Sequence, residues 1–151
     1  MLQKCRKMLR NEKGLTLIEL LAVVVILGII AAIAVPSIGN IIDNSRKDAH
    51  VANAQQLINS ARLAIVDDST LSVGNNTITL ATLLEKNFIE QIEDPDGGNY
   101  ASGSVTVAEG KITGVTLVGT ERTVSVALGE DEDNLNVTRS NVQDNQDNSE
   151  Q

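Results

Sequence analysis

The sequence predicts an α+β fold. One long N-terminal helix, a transmembrane half plus an amphipathic half, packs on a small three-stranded antiparallel sheet, and a disordered acidic C-terminal tail follows. Three patterns carry this. A predominantly apolar run extends from Leu15 to Ile38. Val51, Ala54, Ile58, Ala61 and Ile65 then recur at steps of three and four, one face of an amphipathic helix. Between residues 104 and 128, three segments alternate apolar and polar side chains across turn residues, the period of strands with one buried face.

Within Leu15–Ile38 the only ionisable side chain is Glu19, and Leu20–Val35 has no polar side chain at all. At about 1.5 Å per residue this segment makes a helix of roughly 36 Å, longer than a hydrocarbon core of about 30 Å. Lys4, Arg6, Lys7, Arg10 and Lys13 precede it against Glu12. That basic flank favours the cytoplasmic side and sends the C-terminal portion outward. A secretory signal is disfavoured, because its apolar stretch is about 7–15 residues and ends in a cleavage site, whereas here the helical pattern continues.

Beyond Pro36 and Gly39 the helix turns two-faced, with Arg46, Lys47, Asp48, Asn53, Gln56 and Arg62 opposite the apolar stripe. One nearly continuous helix is expected from about Leu15 to Val66. Pro36 removes a backbone donor and should kink or loosen it. Residues 69–79 read as a loop turning at Gly74-Asn75-Asn76. A short helix over Leu80–Lys86 follows, capped by Thr79. The stretch EDPDGGNY is turn punctuation. Strands are expected at Ser104–Ala108, Lys111–Val118 and Arg122–Leu128. Three such strands need a cover, and the Val51–Ile65 stripe supplies it. From Gly129 onward seven acids face Arg139 alone, a composition that buries too little to offset its own ordering, so a solvated tail is expected, with a short strand at Leu135–Val137 as the alternative.

The formal charge is −8, and because the first 14 residues carry +4 the remainder carries −12. That argues against a bulk nucleic-acid surface, which relies on Lys and Arg, and leaves room only for local basic spots. Cys5, the only cysteine, lies in the basic leader, so the exported part has no internal disulfide. No phosphate loop, nucleophile elbow or zinc-ligand spacing occurs, so no enzyme is expected. His50 has no companion at a useful spacing and is expected to be solvated. Asp94 and Asp96 in DPDGG are weak candidates for a hard cation, which wants six to eight oxygens; a plain turn is the expected reading, and no cofactor is expected.

Lys13-Gly14, then Leu15-Thr16-Leu17-Ile18-Glu19, then the apolar helix with Pro36, resembles the prepilins of type IV pili and the related secretion and competence pseudopilins. The resemblance implies cleavage between Gly14 and Leu15 by a prepilin peptidase that also methylates the new Leu15 amine. Leu15 departs from the Phe usual at that position. It implies a removed leader at 1–14, a membrane and fibre-core helix at 15–38, and an amphipathic half at 39–68. An extracellular loop and sheet domain follows at 69–128, with the flexible acidic tail at 129–151. The implied partners are the lipid bilayer before assembly, the peptidase/methyltransferase, an assembly ATPase with its platform protein, and other pilins including copies of itself. The lack of exported cysteine leans toward a single-membrane bacterium, as a type IV pilin or a competence pseudopilin.

The chemistry of Glu19 agrees with that role. A charge at that depth costs about 2.5–3.5 kcal/mol on insertion scales and is normally paired. Cleavage after Gly14 would create an α-amino group four residues away, able to pair within one chain or with a neighbour offset by one helical step. Gly28 and Ala32 form a small-xxx-small pair. The resemblance further implies that Gly28 to Pro36 can lose helical bonds inside a fibre. The competing class is a binding module anchored by one span, which needs neither the Gly14 junction nor Glu19.

Overall fold

The computed structural model describes residues 12–72, 74–127 and 135–145. The chain divides into two compact units, Met1–Ile42 and Asp43–Gln151. A helix, α1, runs over Glu12–Asp67 with Pro36 inside it. Pro36 cannot donate to the carbonyl one turn back, so the ladder lacks a bond there without ending.

In the first unit the large hydrophobic side chains from Leu17 to Ile42 are all exposed, by 47–71%. This is the inverse of a soluble helix, and α1 is the one described helix long and apolar enough to cross a membrane.

In the second unit α1 is two-faced as expected. Ala54, Leu57, Ile58, Ala61 and Ala64 are buried in the core, with Val51 and Ile65 packed at its margin. A 3-10 turn at Ser69–Ser72 leads to β1 (Asn75–Thr79), and α2 (Leu80–Glu85) follows directly. Thr79 caps α2, its side chain accepting from the Thr82 N–H at 3.2 Å. Strands β2 (Ser102–Ala108), β3 (Lys111–Val118) and β4 (Arg122–Ala127) come next, then a 3-10 turn at Arg139–Asn141 and β5 (Val142–Asp144). All five strands pair antiparallel in chain order. The β2–β3 turn places Glu109 and Gly110 at φ 51° and 79°, the left-handed pair that tight hairpins use. Val105, Val107, Val115, Leu117 and Val124 face inward against α1.

Two expectations need correction. The sheet has five strands, not three: β1 occupies residues expected to form a loop, and β5 lies in the expected tail. The described part of that tail, 135–145, is ordered into the fold because Leu135, Val137 and Val142 are buried in the core and Arg122 pairs with Asp144. The other residues of the expected tail lie outside the described residues.

Candidate functional site

The residues singled out in the sequence fall in two places. Glu19, Gly28 and Pro36 lie on the apolar half of α1. Glu19 is exposed, and no described residue pairs with it. In this chain the Leu15 nitrogen is a peptide amide and carries no charge. Leu15 and Gly14 belong to the same helix backbone.

The second place is a buried polar node in the other unit. His50, expected to be solvated, is fully buried on α1. It follows the stripe by helical spacing, four residues before Ala54 and seven before Leu57, both buried. Its Nδ1 lies 2.8 Å from the Tyr100 hydroxyl, and its Nε2 lies 2.9 Å from Asp96 Oδ2 and 3.6 Å from Asp94 Oδ1. Asn53 donates to both the Tyr100 oxygen and the Glu93 carbonyl, at 3.0 Å each. Because Tyr100 already accepts from Asn53, its O–H is free to donate to Nδ1, while Nε2–H donates to Asp96.

Arg122, at the start of β4, spreads its guanidinium over three carboxylates. Nε donates to Asp144 at 2.8 Å, one terminal nitrogen donates to Asp96 at 2.5 Å, and the other donates to Asp43 at 2.7 Å. One residue thereby ties α1, the 94–98 turn and β5 together. Asp94 accepts N–H bonds from Asp96 at 2.9 Å and Thr120 at 2.6 Å. Gly119 permits this approach: a Cβ there would sit 2.6 Å from the Asp94 oxygen. Burial pushes the Asp94 carboxyl up, but the Thr120 and Asp96 N–H donors and the nearby imidazole outweigh it and hold it below the ordinary range.

His50, Asp94 and Asp96 bring one ligand atom each within 4.8 Å of one another. Their oxygens are already engaged by Arg122, Arg46, His50 and backbone N–H groups, so the positive charge at this node is supplied by guanidinium. Chemically the node is a clasp. It holds the DPDGG turn against the helix, and Asp94 and Asp96 act inside it as acceptors.

Burial, reinforced by Asp94 and Asp96, pushes the Tyr100 phenol up to about 12 against the opposing Asn53 bond. A raised folded value means that the neutral phenol's contribution is intact below its unfolded pKa, near 10, and is lost as pH rises toward 12. Tyr100 is the only tyrosine in the chain, so phenolate absorbance reports it alone. Titration of the folded protein in detergent should give a midpoint near 12, and in denaturant one near 10. Equal midpoints would mean that the node does not form.

Residues 9–35 match the family model described as the prokaryotic N-terminal methylation motif. Two fimbrial proteins of Pseudomonas aeruginosa are each 29% identical over 128 residues, covering 78% of this chain and 80% of the relative. The type IV narrow pilus major component PilA5 of Thermus thermophilus is 31% identical over 131 residues, covering 85% of this chain and 97% of the relative. The chain belongs to the type IV pilin family. No solved structure matches it significantly. Membership accounts for the exposed apolar half of α1: a pilin is anchored in a membrane by this helix and self-assembles into a surface filament as a structural subunit. The clasp is this pilin's means of fixing its sheet domain to the polar half of the same helix.

Proposed function

We propose that this pilin is inserted as a single-pass membrane protein with residues 1–14 on the cytoplasmic side and the sheet domain outside. Prepilin peptidase cuts between Gly14 and Leu15, and the Leu15 amine is methylated. An assembly ATPase and its platform protein then lift the subunit into a helical fibre of pilins. Glu19 pairs with the new α-amino group of a neighbouring copy. One observation carries this reading: a helix whose large apolar side chains from Leu17 to Ile42 are exposed holds a single carboxylate near the start of that run. Transfer from lipid to neighbouring helices keeps that surface dry, where water would cost about 1.5–3 kcal/mol per large side chain. The inter-chain pairing also fixes register, because Glu19 stays uncompensated until a neighbour arrives.

Gly28 and Pro36 serve the same step. Pro36 already removes one helical bond, so the segment from Gly28 to Pro36 is where α1 lengthens most readily inside the fibre.

The test is the mass of the chain recovered from cells. Loss of residues 1–14 with gain of one methyl is expected, and Gly14→Arg should leave full-length precursor in the membrane. An intact N-terminus on surface-exposed protein would contradict the reading and favour a non-polymerising anchored module.

A further inference from the structure

The face of the sheet that α1 does not cover is built from hydroxyls. Ile78, Val105, Val115, Leu117 and Val124 are buried in the core, so their neighbours along each strand point the other way. The strand register sets four of those neighbours in one row across four strands: Thr79, Ser104, Thr116 and Ser125. Thr77 and Thr106 begin a second row beside it, which the small residues Gly114 and Ala127 complete. Neighbouring strands lie about 4.8 Å apart, so the hydroxyls form a regular grid. None of the six Ser and Thr side chains is buried. Thr79 uses its hydroxyl to cap α2, and the other five hydroxyls have no hydrogen-bond partner among the described residues.

Charge is absent from the middle of this face. Between Ser102 and Ala127 the charged residues are Glu109 and Lys111 at one hairpin, and Glu121 and Arg122 at the next. Strand β1 has none. The chain beyond residue 14 carries −12, so the grid is a neutral window in an acidic molecule. That limits its partner. An acidic polymer would be repelled by the surrounding charge, and a basic one would be drawn to the acids instead of the grid. An apolar surface would strip water from the hydroxyls and return no bond. A hydroxyl both donates and accepts, and another uncharged, hydroxyl-bearing surface answers it in kind. The chain's two aromatic residues, Phe88 and Tyr100, lie outside the strands, so the grid offers no ring for a sugar to stack on. Each copy therefore grips weakly, and strength comes from repetition.

We infer that this hydroxyl grid binds neutral polysaccharide, through weak hydrogen bonds repeated from copy to copy. The repetition along a fibre rests on the polymer reading, whereas the grid belongs to the single subunit.

Co-sedimentation with insoluble cellulose and with chitin tests it. Filaments verified by microscopy should be retained on at least one, about a hundredfold more strongly than detergent-dispersed subunits, a gain within the usual range for linked weak sites. Thr106→Val with Thr116→Val keeps the shape of the face and removes two hydroxyls. Retention of those filaments should fall about tenfold, the scale of two lost hydrogen bonds. Thr116→Glu should lower retention at least as much, while Gln91→Glu, the same charge on an exposed residue outside the strands, should leave it unchanged. Thermal unfolding shows that each variant still folds. Retention of the unsubstituted filaments on neither polysaccharide, or an equal loss with Gln91→Glu, would overturn the inference and leave the polymer reading intact. If no filaments form, the polymer reading fails by itself. Subunits crowded on beads then carry the test, with retention expected and its absence decisive against the grid.

Discussion

Glu19→Ala is expected to leave insertion and processing intact and to reduce filament formation by about a hundredfold when it is the sole copy. Alanine lengthens the uncharged run and adds no barrier to crossing the bilayer. What it removes is the anion that a docking subunit's new amine would meet. The few kcal/mol attached to a charge at that depth, about 2.5–3.5 on insertion scales, corresponds to roughly two orders of magnitude in the constant for adding a subunit. Sheared-fibre yield, compared with membrane-held mature subunit, measures it. Normal yield from Glu19→Ala alone would show that the carboxylate has no part in assembly. Glu19→Asp keeps the charge but shortens its reach, so an intermediate yield is expected.

Arg122→Ala is expected to be the most damaging single change outside the apolar half of α1. Asp96, whose side chain is fully buried, would lose the guanidinium and keep His50 and the more distant Arg46. Removing one partner of a buried ion pair typically costs about 3–5 kcal/mol, because the remaining charge is stranded. Asp43 and Asp144 are much more exposed than Asp96 and add little, so about 3 kcal/mol is expected. For a domain of this size that lowers Tm by roughly 10 °C. Arg122→Lys should recover only part, since an ammonium cannot fork over three carboxylates on three elements. Thermal unfolding by circular dichroism in detergent checks both. An unchanged Tm for Arg122→Ala would mean that the clasp does not hold the sheet domain.

The parts of the fold that sequence revealed are those where periodicity and turn chemistry agree. The stripe from Val51 to Ile65, the hairpin at Glu109-Gly110 and the Thr79 cap each declare themselves locally, and each is present. Strand β1 was missed because NNTIT holds one apolar residue, Ile78, and exists as a strand through its pairing with β2. Strand β5 was missed for a similar reason. Val142 is its single core residue, and the Arg122–Asp144 pair joins it to β4 from a distance in sequence. An acidic composition read as solvation conceals such long-range partners. The inner face begins at His50, one residue before the apolar stripe that opens at Val51, because its spacing from Ala54 and Leu57 puts it on the inner side. Its partners Asp96 and Tyr100 lie 46 and 50 residues away, beyond the reach of any spacing rule. Asp94 and Asp96 were correctly placed in a turn, but the arginine that engages Asp96 gave no local signal.

A density map of the assembled filament, resolved well enough to place side chains in its core, tests the central claim most directly. The Glu19 carboxylate should lie within ion-pair distance of the Leu15 amine of an adjacent subunit, repeated at every step along the fibre. A map in which that carboxylate meets only its own chain's terminus, or a correctly trimmed subunit that forms no fibre, would contradict it.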